Sequence, residues 1–101
     1  MDRKFEEGDI VKHFKRETLS KEELLKDKHL YKIITIDAIH TETNERCVVY
    51  QALYEPYNIF VRPYEMFISK VDKEKYPNIK QEYRIEKLTH EDISEISSLI
   101  S

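Results

Sequence analysis

His40 and Glu42 stand two positions apart in AIHTETNERC, and Arg62 sits between a valine and a proline in VVYQALYEPYNIFVRPYEMF. A His-x-Glu pair can act as general acid and base on a small molecule if both side chains reach one substrate. It can also hold a divalent cation if a third ligand arrives from elsewhere. No third ligand is evident, and the spacing alone is a weak signal. The expectation is therefore no metal and no catalytic residue, with His40 capping a strand end while Glu42 and Thr43 satisfy loop amides. Cys47 pairs poorly with His40 as a nucleophile because the two lie on opposite arms of one hairpin, and in a valine-rich strand it reads as a small buried hydrophobe.

Arg62 is the most suggestive residue. A planar guanidinium at a strand end beside aromatic rings can clamp a carboxylate or a phosphate through two parallel hydrogen bonds. It can equally pair with Glu65 or Glu42 inside the protein, since a long cation is costly to hold without a partner. Both readings stay open. Strand alternation puts Tyr50 and Tyr54 on one face with Val48 and Ala52, and Val49, Gln51 and Leu53 on the other. Phe60 or Val61, Met66 and Phe67 are expected in the core, with a tyrosine row at its rim that could stack against a base, a ring or a peptide proline. With His13 added, the candidate ligand-binding set is His40, Glu42, Tyr50, Arg62 and His13.

These side chains need elements to position them. GDIVKHFK, residues 8 to 15, suits a first strand. In LSKEELL, Ser20 and Glu23 have capping-box spacing and Leu19 and Leu24 that of a hydrophobic staple, which predicts a short helix from Lys21 to Asp27. That helix lies in an inserted surface segment, Glu17 to His29. LYKIITIDAI, 30 to 39, and RCVVYQAL, 46 to 53, read as a hairpin, with Asn44 best able to take a left-handed conformation in the loop. A type I turn at EPYN precedes a fourth strand, IFVR. Pro63 ends that strand, YEMF forms one helical turn, and ISKV is expected as the fifth strand. Residues 72 to 80 read as a linker or loop. Further on, Thr89 as N-cap, Asp92, the Leu88–Ile93 staple, and an apolar face of Ile93, Ile96, Leu99 and Ile100 predict a final helix.

The elements HFK at His13 to Lys15, A-x-H-T-E-T at Ala38 to Thr43, VVY at Val48 to Tyr50, Leu53–Tyr54, VRP at Val61 to Pro63 and Met66–Phe67 are similar to the pattern of a family of small bacterial proteins catalogued as domain of unknown function 1653. The resemblance is centred on residues 38 to 71. It implies an SH3-like barrel and no established activity. The chain departs from the pattern at Arg16, where the family has glycine, in the helical insertion, and beyond Leu88.

The fold expected is therefore mainly β: one domain over 1–101, with a small SH3-like five-stranded barrel over about 8–71, a linker over about 72–80, and a strand and helix over about 81–100. The chain has 101 residues, 37% of them charged and 40% apolar, which suits a folded domain needing no metal or disulfide. A lone cysteine precludes an intrachain disulfide, and with a charged start and no long apolar run the expected setting is the cytoplasm, away from membranes. A net charge of −3 weighs against phosphate-driven nucleic-acid binding, though Lys12, Lys15 and Arg16 form a local basic patch. The leading expectation is a non-enzymatic binding module for a small or anionic ligand or a protein partner, without cofactor. The rivals are a small-molecule enzyme using His40 and Glu42 as acid and base, and a nucleic-acid-binding barrel. Convergence of the polar set in one concavity would favour a small ligand or catalysis.

Overall fold

The computed structural model describes residues 4–94. Five strands, β1 (Ile10–His13), β2 (Leu30–Ile39), β3 (Arg46–Ala52), β4 (Ile59–Pro63) and β5 (Ile85–Lys87), form one antiparallel sheet in the order β4-β3-β2-β1-β5. The two edge strands do not pair with each other, so the expected barrel is an open five-stranded sheet. Gly8, at φ 88°, makes the turn into β1 and donates its N–H to the Ile33 carbonyl at 2.8 Å, a backbone conformation that a side chain would strain.

Most of the expected elements form where the local chemistry asks for them. α1 (Lys21–Leu25) starts with a full capping box, the Ser20 hydroxyl accepting from the Glu23 N–H and the Glu23 carboxylate from the Ser20 N–H. The β2–β3 hairpin turns on Asn44 at φ 59°, and α2 (Tyr64–Phe67) follows Pro63 as one helical turn. Pro63 lies on the ladder opposite Cys47, and its missing N–H is tolerated because β4 is an edge strand. A last helix begins at His90, with Thr89 and Asp92 capping each other. Lys12 Nζ reaches Asp92 at 2.8 Å and ties this helix start to β1. Ile93 is exposed, and Ile96, Leu99 and Ile100 of the expected apolar face lie outside the described residues.

Three expectations are corrected. The fifth strand is Ile85–Lys87, not ISKV; residues 68–71 contribute only a single bridge, Lys70 to Tyr83. Their cross-chain bonds, Val71 N–H to Glu82 C=O and Arg84 N–H to Ser69 C=O, run along the approach to β5. The EPYN turn is not type I. Glu55–Pro56 is cis and the Tyr57 N–H donates to the Tyr54 carbonyl at 2.7 Å, which is a type VI arrangement. Finally, Phe60 and Val61 on edge strand β4 and Met66 on α2 are exposed, and only Phe67 of that group enters the core.

The main core gathers Phe5, Val11, Tyr31, Ile33, Val48, Tyr50, Ala52, Phe67 and Ile85. Phe67, Ile33, Ile85, Val11 and Val48 are its largest fully buried side chains. Each gains about 1.5–3 kcal/mol over an exposed position, so this cluster carries the fold while α1, which buries nothing, does not. Cys47 is a free, buried cysteine. A second, smaller cluster joins Phe14, Val71 and Ile79, with Tyr76 packed against it. Residues 72–80 thus close over the end of β1 as a packed loop. Among the described residues no helix is long and apolar enough to cross a membrane.

Candidate functional site

At the end of β1 the chain leaves the sheet as a 3-10 turn, Phe14–Thr18. His13 caps that turn, its Nδ1 accepting the Lys15 N–H at 3.1 Å. A ring that accepts at Nδ1 is neutral and carries its proton on Nε2. The ring stacks on Phe14 with centroids 4.5 Å apart and lies 5.5 Å from His29. Burial, then the charges of His29, Arg62, Lys15 and Arg84, lower the His13 pKa to about 4. His13 is therefore a neutral N–H donor at neutral pH, in strongly cationic surroundings.

Those surroundings form a depression of about 290 Å³. β4 supplies Arg62, opposite Val48 on β3, and the residue before β5 supplies Arg84. The main chain of Arg84 is fixed on both sides: its N–H donates to Ser69 and its carbonyl accepts from Phe14 at 3.0 Å. Lys15 comes from the 3-10 turn; Asp72, Lys75 and Tyr76 come from the loop. Tyr76 meets Phe14 edge-on at 4.9 Å. Asp72 is committed to its own turn, with Oδ1 accepting the N–H groups of Glu74 and Lys75 at 3.0 and 3.3 Å. Among the described residues none of Lys15, Arg62, Lys75 and Arg84 makes an ion pair.

Glu17 holds this loop in place. Its two carboxylate oxygens accept the N–H groups of Lys80 and Gln81 at 2.9 and 2.7 Å. Gln81 is buried, and its side-chain amide donates to the carbonyls of Lys12, Tyr83 and Arg84. The chain entering β5 is thereby stitched to the chain leaving β1.

Of the expected set, His13 and Arg62 line this depression, whereas His40 and Glu42 do not. They sit exposed at the hairpin tip, beyond the last ladder pair, Ile39 with Arg46. There the His40 ring and the Thr43 hydroxyl, and not the Glu42 carboxylate, serve the loop amides: His40 Nδ1 accepts from the Glu42 and Thr43 N–H groups at 3.3 and 3.4 Å, and Thr43 Oγ1 accepts from the Glu45 N–H at 3.2 Å. Among the described residues no three His, Cys, Asp or Glu side chains are placed to hold a metal ion.

Tyr50 belongs to the core, edge-on to Tyr31 at 5.2 Å and 5.3 Å from Phe67. Burial raises its pKa, opposed by the neighbouring Arg62 guanidinium, so Tyr50 is a neutral wall beside that cation. Tyr31 is pushed well above the usual tyrosine range by burial, aided by a 2.8 Å hydrogen bond between its hydroxyl and that of Tyr54.

The basic patch of Lys12, Lys15 and Arg16 is dispersed by the fold. Lys12 pairs with Asp92, and Arg16 donates to the carbonyls of Lys28 and Leu24, leaving Lys15 to face the depression. Sequence reasoning missed Arg84, Lys75 and Tyr76. The available signal was Tyr76 and Ile79 standing among the charges of DKEKYPNIK, since apolar residues in a charged loop need something to cover.

A family model described as Protein of unknown function (DUF1653) matches residues 9–87, and the chain belongs to that family. The matched span holds all five strands and every residue lining the depression. A search of curated proteins and a search of solved structures each give no match.

Proposed function

We propose that this member of a family without a known activity is a non-enzymatic module that binds a small anion in the depression at the end of β1. The observation that carries the reading is the convergence of Lys15, Arg62, Lys75 and Arg84 around a concave surface where no carboxylate pairs with them among the described residues. Holding like charges together is unfavourable without a counter-charge, and a cleft with low-dielectric walls concentrates an anion of opposite sign. His13 adds a neutral donor, and the one negative charge of Asp72 against the four cations leaves the hollow with a surplus of positive charge. The ligand would be a small metabolite of the cytoplasm, the compartment expected from the charged, cysteine-poor sequence.

Calorimetric titration of the full chain with inorganic phosphate and with di- and tricarboxylates tests this. Saturable binding that weakens with added salt, and falls at least tenfold in Arg62→Met, is the expected result. Binding indifferent to Arg62, or none with any anion, refutes it.

A further inference from the structure

The same depression narrows the class of anion, and the narrowing rests on the reading above. Four cations face a single carboxylate whose Oδ1 is already engaged, an excess that a monocarboxylate would leave largely uncompensated. Two of the cations are half-buried guanidiniums, Arg62 and Arg84, brought from β4 and from the approach to β5. Each offers paired N–H donors in a fixed plane, a geometry matched by the oxygens of a phosphoryl group. Exposed Lys15 and Lys75 supply point charge without fixed direction. His13 contributes an N–H donor that needs no negative charge to balance it.

Size and lining point beyond a bare inorganic ion. At about 290 Å³ the depression has room for roughly ten water volumes, far more than one phosphoryl group occupies. The remaining wall includes the half-buried Tyr76 ring, an apolar flank beside the cationic end that buried Phe14 supports edge-on. A long polyanion is disfavoured by the chain's net charge of −3.

We propose that the ligand is a small phosphate monoester, its dianionic phosphoryl group held by Arg62, Arg84 and the His13 N–H and its organic body lying against the Tyr76 ring.

The test uses the full chain, calorimetry and two-dimensional NMR. The probes are inorganic phosphate, a ribonucleoside 5′-monophosphate, a hexose 6-phosphate, their dephosphorylated counterparts, succinate, citrate and a short oligothymidylate. At least one monoester should bind tenfold or more tighter than inorganic phosphate, with its dephosphorylated counterpart silent. Arg62→Met and Arg84→Met should each lower that affinity at least tenfold, and the His13 ring signals should move on binding. The double variant Lys15→Gln, Lys75→Gln changes only exposed side chains and should also weaken binding, so the result does not depend on the arginine variants folding. Carboxylates that bind as tightly as the monoesters, with the same arginine dependence, overturn the phosphoryl assignment and leave the anion-binding reading standing. Binding of no anion, or binding that ignores all four cations, overturns both. Oligothymidylate binding tighter than every monoester overturns the assignment in favour of nucleic acid.

Discussion

The Glu17 carboxylate grips the N–H groups of Lys80 and Gln81, at 2.9 and 2.7 Å, across more than sixty residues of intervening chain. One acidic side chain thus stands in for the sheet pairing that the irregular segment before β5 lacks. Glu17→Ala removes two charge-assisted hydrogen bonds. Because Glu17 is solvent-accessible, water recovers part of the loss, and the expected cost is about 1 kcal/mol in urea unfolding. The amides of Lys80 and Gln81 should also lose protection against hydrogen exchange.

Arg62 makes no ion pair with Glu65 or Glu42. Removing it leaves no buried carboxylate uncompensated, which is the circumstance that makes such losses expensive. Arg62→Met keeps the aliphatic stem and should change stability by less than about 1 kcal/mol. A loss near 3 kcal/mol in chemical unfolding would show that the guanidinium carries structural weight beyond its hydrogen bond to the Tyr50 hydroxyl.

Excision separates scaffold from ornament in the inserted segment. α1 has no buried residue, while Glu17 grips the loop and His29 stands 5.5 Å from the His13 ring. Replacing residues 19–28 with a short glycine-containing loop should preserve a single cooperative transition, with a change of about 1 kcal/mol, since loop-closure entropy varies slowly with length. Extending the excision to include Glu17 and His29 should cost measurably more. Equal stability of the two deletions would contradict the roles given to those residues.

His13 makes stability depend on pH. Its folded pKa, about 4, lies below the ordinary 6.5. The unfolded chain therefore binds the proton more readily between those values. The contribution is complete above pH 6.5 and is lost as pH falls toward 4. The full shift corresponds to ~3 kcal/mol by linkage, which partial exposure reduces to about 2 kcal/mol. His29, also lowered by burial and by Lys28, acts with the same sign. His13→Asn retains an acceptor for the Lys15 N–H and should flatten part of the profile in thermal unfolding from pH 4 to 7. A profile as steep as the wild type would place the titration elsewhere.

Much of the sheet was legible because its signals are local. β2 and β3 show in their β-branched runs, the hairpin turn in Asn44, and α1 in the Ser20–Glu23 pair. Arg62 stood out because a long cation between a valine and a proline is costly to hold without a partner. What the sequence concealed is long-range. ISKV and RIEK are both short apolar–polar segments, and only pairing with β1 selects the second as a strand. Phe60 and Val61 have the composition of core residues, and only strand order reveals them as an edge. His40 and Glu42 lie near Arg62 in the sequence, but the ladder carries the hairpin tip away from the depression, whereas Arg84 arrives from far along the chain.

The division of the apolar interior into two unequal clusters bears on how the molecule breathes. The smaller one rests on Phe14, Val71 and Ile79, against nine buried residues in the larger. Opening the 72–80 loop exposes only that smaller share of apolar surface, so its free energy falls well below that of global unfolding. The Tyr76 and Ile79 amides, bonded only within the loop, then exchange with solvent while β2 and β3 stay intact. The depression straddles this seam, with Arg62 and His13 on the sheet side and Lys75 and Tyr76 on the loop side. An occupant that touches both sides acts as a clasp, and the slowing of those loop amides measures its occupancy without any need to know its identity.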